Sequence, residues 1–145
     1  MIRQENLPPV TISAGDYDRL AFLASFGLNN PQDRAAAAML ANELIRATVL
    51  PSRAVPPSVV RMHSHVEFRD DVTWDVRRAA LVYPDEVDGE PGRISVLSPE
   101  GAALIGLSGG QSMMWWAPSG WRSLTLLRVL GQPQGWTTEL RKRVP

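Results

Sequence analysis

The chain has 145 residues, 44% of them apolar, with 15 basic and 15 acidic side chains and no cysteine. That length suits one ordinary domain or a small domain with an appendage, and the apolar share excludes wholesale disorder. Zero net charge removes the electrostatic footprint of a dedicated nucleic-acid binder, and the missing thiols exclude disulfides and thiolate metal sites.

No basic-then-apolar segment opens the chain, and no apolar run approaches the roughly 18 residues of a membrane span. A soluble, cytoplasmic protein with no membrane partner is the expectation. Ser13-Ala14-Gly15-Asp16 has the form of a helix start, with a Ser cap and an acid in the first turn. Tyr17, Leu20, Ala21, Leu23, Ala24 and Phe26 follow at helical spacing up to Gly27. Asn30-Pro31-Gln32-Asp33 starts a second helix, with Ala37, Leu40, Ala41, Leu44 and Thr48 as its buried stripe and Pro51 as its stop. The short connection makes the two helices antiparallel neighbours, a helical hairpin over residues 10–50.

Three prolines make residues 51–58 a linker, since they can neither continue a helix nor join a ladder. Beyond it the period becomes alternating. Val59–Phe68, Val72–Val82, Ile94–Leu97, Met113–Trp116 and Trp121–Leu130 are the strand candidates of a second unit over residues 59–131. Asp70-Asp71 and Ala117-Pro118-Ser119-Gly120 supply hairpin turns, and Asp85 to Glu90 forms an acidic loop. Between Ile94 and Gln111, Ser98 caps a short helix with Pro99 at its first position, and Gly106 ends it. Several strands and one short helix predict an α+β class: a helical hairpin, then an antiparallel sheet curled over that helix. Residues 132–145, carrying Trp136 and Arg141-Lys142-Arg143, read as a frayed tail.

Few residues suggest chemistry. His63, His65 and Glu67 would share one strand face, and their ligand types suit a divalent ion. Three such positions nevertheless span about 13 Å, too far for one ion without a bulge. A half-exposed polar strand face is the better reading, and neither a metal nor a cofactor is expected. Hydrolase, P-loop and dinucleotide motifs are absent, which argues against an enzyme. Adjacent Trp115 and Trp116 must point to opposite faces, one into the core and the other outward. Such exposed aromatic faces leave both a monomer and a dimer open.

The spacing I-S-x-x-S-P-x-G-x-A-L-x-G from Ile94 to Gly106 resembles the carboxy-terminal domain of the Gre transcript-cleavage factors. Val60 to Asp70 is similar to its first hairpin, and Leu81-Val82-Tyr83-Pro84 with the acids that follow is closest to the Rnk branch, called regulators of nucleoside diphosphate kinase. The resemblance covers roughly residues 10 to 130. It implies an FK506-binding-protein-like carboxy-terminal fold behind the helical hairpin, and docking on bacterial RNA polymerase at the rim of the secondary channel. In the cleavage factors a long coiled coil enters that channel, and an acidic pair at its tip helps hold the catalytic magnesium ion.

Two departures bear on this. The expected helices, about 13 and about 19 residues, give an arm of only about 20 Å where they pair. The tip, with Asn29, Asn30 and Asp33, offers one carboxylate and no acidic pair. Gln111 also replaces the acid that usually follows the glycine. The expectation is a non-catalytic transcription regulator that binds RNA polymerase and competes with cleavage factors, without sequence-specific nucleic-acid contact. Asp85, Glu86, Ser98, Pro99 and Gly101 are its candidate partner-binding residues. The alternative is a peptidyl-prolyl isomerase of the FK506-binding type, for which the chain supplies few aromatic lining residues.

Overall fold

The computed structural model describes residues 7–131. The architecture is α+β: a helix pair with a two-stranded ribbon, and a curled five-stranded sheet with one short helix. The elements are β1 (Thr11–Ser13), α1 (Ala14–Gly27), α2 (Arg34–Arg46), β2 (Thr48–Leu50), β3 (His65–Asp70), β4 (Val76–Val82), β5 (Arg93–Ser95), α3 (Pro99–Leu104), β6 (Ser112–Ala117) and β7 (Gly120–Gly131).

Local signals set the helix starts. Ser13 caps α1, its hydroxyl accepting the Asp16 N–H at 3.2 Å. The second helix departs from the sequence expectation at both ends. Asn30 does not cap it; its Oδ1 accepts the Gln32 N–H at 3.0 Å in a turn, and helical geometry begins only after Asp33. Ala47 then leaves the helix, and Thr48–Leu50 pairs in parallel with Thr11–Ser13. β-branched Thr48 and Val49 suit that strand better than a last helical turn. Half-buried Arg46 closes α2 through its ion pair with Glu43 and donates to the Pro8 carbonyl. Phe26, expected in the α1 stripe, is instead exposed and stacks on Phe22.

The sheet order is β5-β4-β3-β7-β6. Its three central and hairpin pairings, β3 with β4, β3 with β7 and β6 with β7, are antiparallel, as expected. The β4–β5 pairing is parallel, so the sheet is mixed rather than antiparallel. The acidic loop crosses over to place β5 beside β4. Trp115 is half-buried against the core, and Trp116 is 65% exposed.

Hairpin and sheet share one core. Leu20, Ala24, Leu40 and Leu44 lie in the same buried cluster as Val66, Phe68, Leu104 and Leu126, and α2 packs on α3. Burying each leucine is worth about 1.5–3 kcal/mol. The Gly106 corner joins the parts: its carbonyl accepts the Thr11 N–H, and its own N–H donates to the Val60 carbonyl. At φ +80°, with a Cβ position only 2.4 Å from Val10 Cγ1, this corner has room for glycine alone. Within the proline-rich stretch Val55 is buried and the prolines are exposed, and Val59 and Val60, which follow it, are buried.

Candidate docking loop and hairpin tip

The acidic loop is built around Glu86. A single turn of 3-10 helix, Pro84–Glu86, returns this carboxylate to the Tyr83 N–H at 2.9 Å. The same carboxylate meets His63 Nε2 at 2.8 Å. His63 sits at φ 71° just before β3, a left-handed geometry that swings its ring toward the loop and onto the edge of Tyr83. Burial pushes the Glu86 carboxyl up, but the Tyr83 N–H, His63 and Arg19 outweigh it and hold it below the ordinary range. The Tyr83 hydroxyl is pushed up to about 12, first by burial and then by Asp16.

Helix α1 reaches this region as well. The Arg19 guanidinium lies 3.7 Å over the Tyr83 ring and 3.7 Å from Asp85. Asp16 accepts the Met62 N–H at 3.4 Å. The loop is therefore held by the sheet from below and by the hairpin from one side. Asp85, Asp88 and Glu90 remain exposed on its outer rim.

The His63, His65 and Glu67 row does not form. His63 turns to Glu86, and Glu67 is clamped between Arg78 Nε at 2.8 Å and Arg128 Nε at 2.9 Å. The hydrogen bond from Arg78 leads in holding the Glu67 carboxyl below its usual range. Its cover is these two guanidinium groups rather than the protein interior. Among the described residues no three His, Cys, Asp or Glu side chains gather in a way that could hold a metal ion.

The predicted contact residues divide by role. Ser98 Oγ accepts the Gly101 N–H at 3.1 Å and donates to the Ser95 carbonyl at 2.7 Å, so it is occupied in shaping the corner. Gly101 is buried, and a Cβ there would lie 1.9 Å from the Ser95 carbonyl oxygen. Pro99 and Asp85 face solvent, and Glu86 is half-buried. At the tip, Asn29 and Asn30 are exposed and Asp33 is half-buried at the start of α2. Ser98 and Gly101 thus both take part in holding the corner together, while Asp85 and Pro99 are exposed. Sequence spacing missed Arg19, and it grouped His63 with its strand neighbours and not with Glu86, because both partners lie far along the chain.

The turn between β3 and β4 supplies a stability check. Burial raises Asp71, but Ser123 Oγ, Thr125 Oγ1 and Arg69 Nε, at 2.8, 2.8 and 2.9 Å, outweigh it and lower its pKa. Asp70 is lowered too: burial opposes the shift, while the Val72 and Thr73 N–H groups and Arg122 drive it. A folded pKa below the unfolded one gives stability that is complete above the unfolded value and lost as pH falls through the folded one. Glu43 acts with the opposite sign: burial raises its pKa, so its contribution falls as pH rises through its folded value. We expect the urea midpoint to drop steadily below about pH 4, with a shallower drop in Asp71→Asn, which costs about 1 kcal/mol at pH 7. Parallel pH profiles for the two proteins would contradict the Asp71 assignment.

Two family models match the chain. The Rnk N-terminus covers residues 8–50, and the carboxy-terminal region of transcription elongation factor GreA/GreB covers residues 55–130. The regulator of nucleoside diphosphate kinase from Escherichia coli K12 is 39% identical over 93 residues, which is 63% of this chain and 68% of that protein. Transcription elongation factor GreA from Chlorobium phaeobacteroides is 34% identical over 91 residues, 62% of this chain and 57% of that protein. A solved structure, the prokaryotic transcription elongation factor GreA/GreB from Nitrosomonas europaea, superposes with a TM-score of 0.64 at 36% identity, covering 84% of this chain and 98% of that one. With an Rnk amino-terminal helix pair packed onto a GreA/GreB carboxy-terminal domain, the chain belongs to the Rnk branch of the Gre family of transcription factors.

Proposed function

We propose that this protein binds bacterial RNA polymerase at the entrance of the secondary channel, without cutting transcripts, and competes there with Gre cleavage factors. The observation that carries the reading is the helix pair. At 14 and 13 residues its helices are about 20 Å long, and their inner faces are buried in the core shared with the sheet. Little of that length is left to project as an arm. The tip has one carboxylate, Asp33, placed where it begins a helix, and metal-assisted cleavage would want a carboxylate pair.

The carboxy-terminal domain, in contrast, keeps an exposed acidic rim and, beyond β5, an exposed Pro99. We assign the polymerase contact to Asp85 and Pro99, with Glu86 holding the loop in shape. The isomerase alternative gains no support. The cleft beside the loop is lined by His63, His65, Ala80, Val82 and the acidic residues, with no aromatic bowl.

A titration of fluorescently tagged protein with purified RNA polymerase tests the reading. Saturable binding that a Gre factor displaces is the expected result, with no cleavage of arrested transcripts at saturation. Absence of binding, or binding indifferent to the Gre factor, would sink it.

A further inference from the structure

The two edges of the five-stranded sheet differ in how they are guarded. β5 is only three residues long, carries exposed Arg93 and is entered from the acidic loop. Short length and charge keep an edge from pairing with another chain. β6, at the other edge, has neither protection. It runs six residues, Ser-Met-Met-Trp-Trp-Ala, with no charge and no proline. The nearest charged residues along the chain are Glu100 before it and Arg122 after it. Among the described residues, the backbone of β6 bonds to β7 alone.

The outer face of this edge is aromatic. Ser112, Met114 and Trp116 alternate outward, opposite Thr125, Ser123 and Trp121 on β7. Trp116 and Trp121 meet edge to face with ring centroids 5.2 Å apart, yet they stay 65% and 43% exposed, and Met114 is 45% exposed. A buried tryptophan covers about 150–250 Å², so the three side chains offer about 350 Å² of apolar surface. We propose that β6 pairs antiparallel with β6 of a second copy, joining two five-stranded sheets into one of ten strands across a two-fold axis.

Charge, symmetry and area each point to a second copy. Residues 101–121 carry no charge, so this edge offers no counter-charge to a basic or acidic strand and meets itself without repulsion. A two-fold axis normal to the sheet pairs the strand with itself and keeps both outer faces on one side. Facing residues must then both point outward or both inward, which places the axis at Met114 or Trp115 in the longest pairings. The exposed patch is used twice, about 700 Å² for the pair before the strand edges are counted, which is the small end of specific interfaces. The dimer is therefore weak and depends on concentration. The acidic loop enters β5 four strand spacings away, about 19 Å, so both copies keep that loop open.

Sedimentation of the full chain from about 5 to about 500 µM tests this, in the range where interfaces of such size associate. The average mass should rise from 16.0 kDa toward twice that value and level there. Met114→Lys and Trp116→Lys set a charge on the edge and should each abolish the rise, with an unchanged circular dichroism spectrum. Ile45→Lys, on the exposed face of α2, should leave it intact. The chain has no cysteine, so Met114→Cys carries a single thiol. In either register the Cβ atoms at Met114 of the two copies lie within about 8 Å, so mild oxidation or a short bismaleimide should link them. Ile45→Cys should stay unlinked. A constant mass overturns the proposal, as does a rise without a plateau or one that both edge variants leave intact. Linking of Ile45→Cys as fast as Met114→Cys overturns it too, and that comparison holds even if the lysine variants fail to fold.

Discussion

Gly101→Ala should cost at least about 3 kcal/mol and lower the melting temperature by about 10 °C or more. The added Cβ would sit 1.9 Å from the Ser95 carbonyl oxygen and 2.9 Å from Val96 Cα. Both are backbone atoms, so no side chain can swing aside. Backbone relief is also blocked, because Ser95 is tied on several sides: its carbonyl accepts from the Ser98 N–H and hydroxyl, and its hydroxyl accepts from the Leu97 N–H. Ser98→Ala provides the comparison. It removes one cap and one further hydrogen bond but introduces no clash, so about 1 kcal/mol is expected. Thermal melts of the two variants should therefore rank Gly101→Ala well below Ser98→Ala. Equal melting temperatures would mean that the corner is not packed as described.

That corner was the most legible part of the molecule, because its signals are local. Ser98, Pro99 and Gly106 each act within a few residues of themselves, through a side-chain cap, a fixed φ and a left-handed turn. The Ser13 cap and the Ala117–Gly120 turn are readable for the same reason. Contacts between distant segments were not. Nothing within Thr48-Val49-Leu50 announces Thr11–Ser13 as its partner, and three-residue strands are too short to show a period. The parallel β4–β5 pairing was hidden by its short connection, since only ten residues separate Val82 from Arg93. Parallel neighbours usually need a crossover of about a dozen or more.

The candidate site divides in the same way. The acidic loop could be seen as a charge run, and the acid-poor tip could be read directly from its residues. That Glu86 turns inward while Asp85 stays outside depends on His63, 23 residues away, whose left-handed backbone has no signature of its own. Arg19 over Tyr83 couples the helix pair to the loop, and no spacing rule links residues so far apart. The row of His63, His65 and Glu67 shows the converse error. Strand periodicity assumed that all three lay on a strand, but the strand begins only at His65.

Leu40→Ala should destabilise the protein by about 2–5 kcal/mol, and the helix pair and the sheet should still unfold in one transition. Leu40 is fully buried on α2, in the cluster that holds Leu104 and Ile105 of the α3 corner. Removing its side chain opens a cavity against both halves at once, so neither half can absorb the loss alone. Far-ultraviolet circular dichroism follows the helices, and tryptophan fluorescence includes Trp115, half-buried against the sheet core. Coincident denaturant midpoints for the two probes, both shifted by the substitution, are the expected result. A helix pair that melts first, leaving the fluorescence of a folded sheet, would show an independent arm. The distinction bears on function. An independent arm could swing and extend toward a reaction centre. A helix pair that is half of the core can move only by unfolding the protein, and so it braces the acidic loop through Arg19 and the segment before β3 through Asp16 instead of delivering its tip elsewhere.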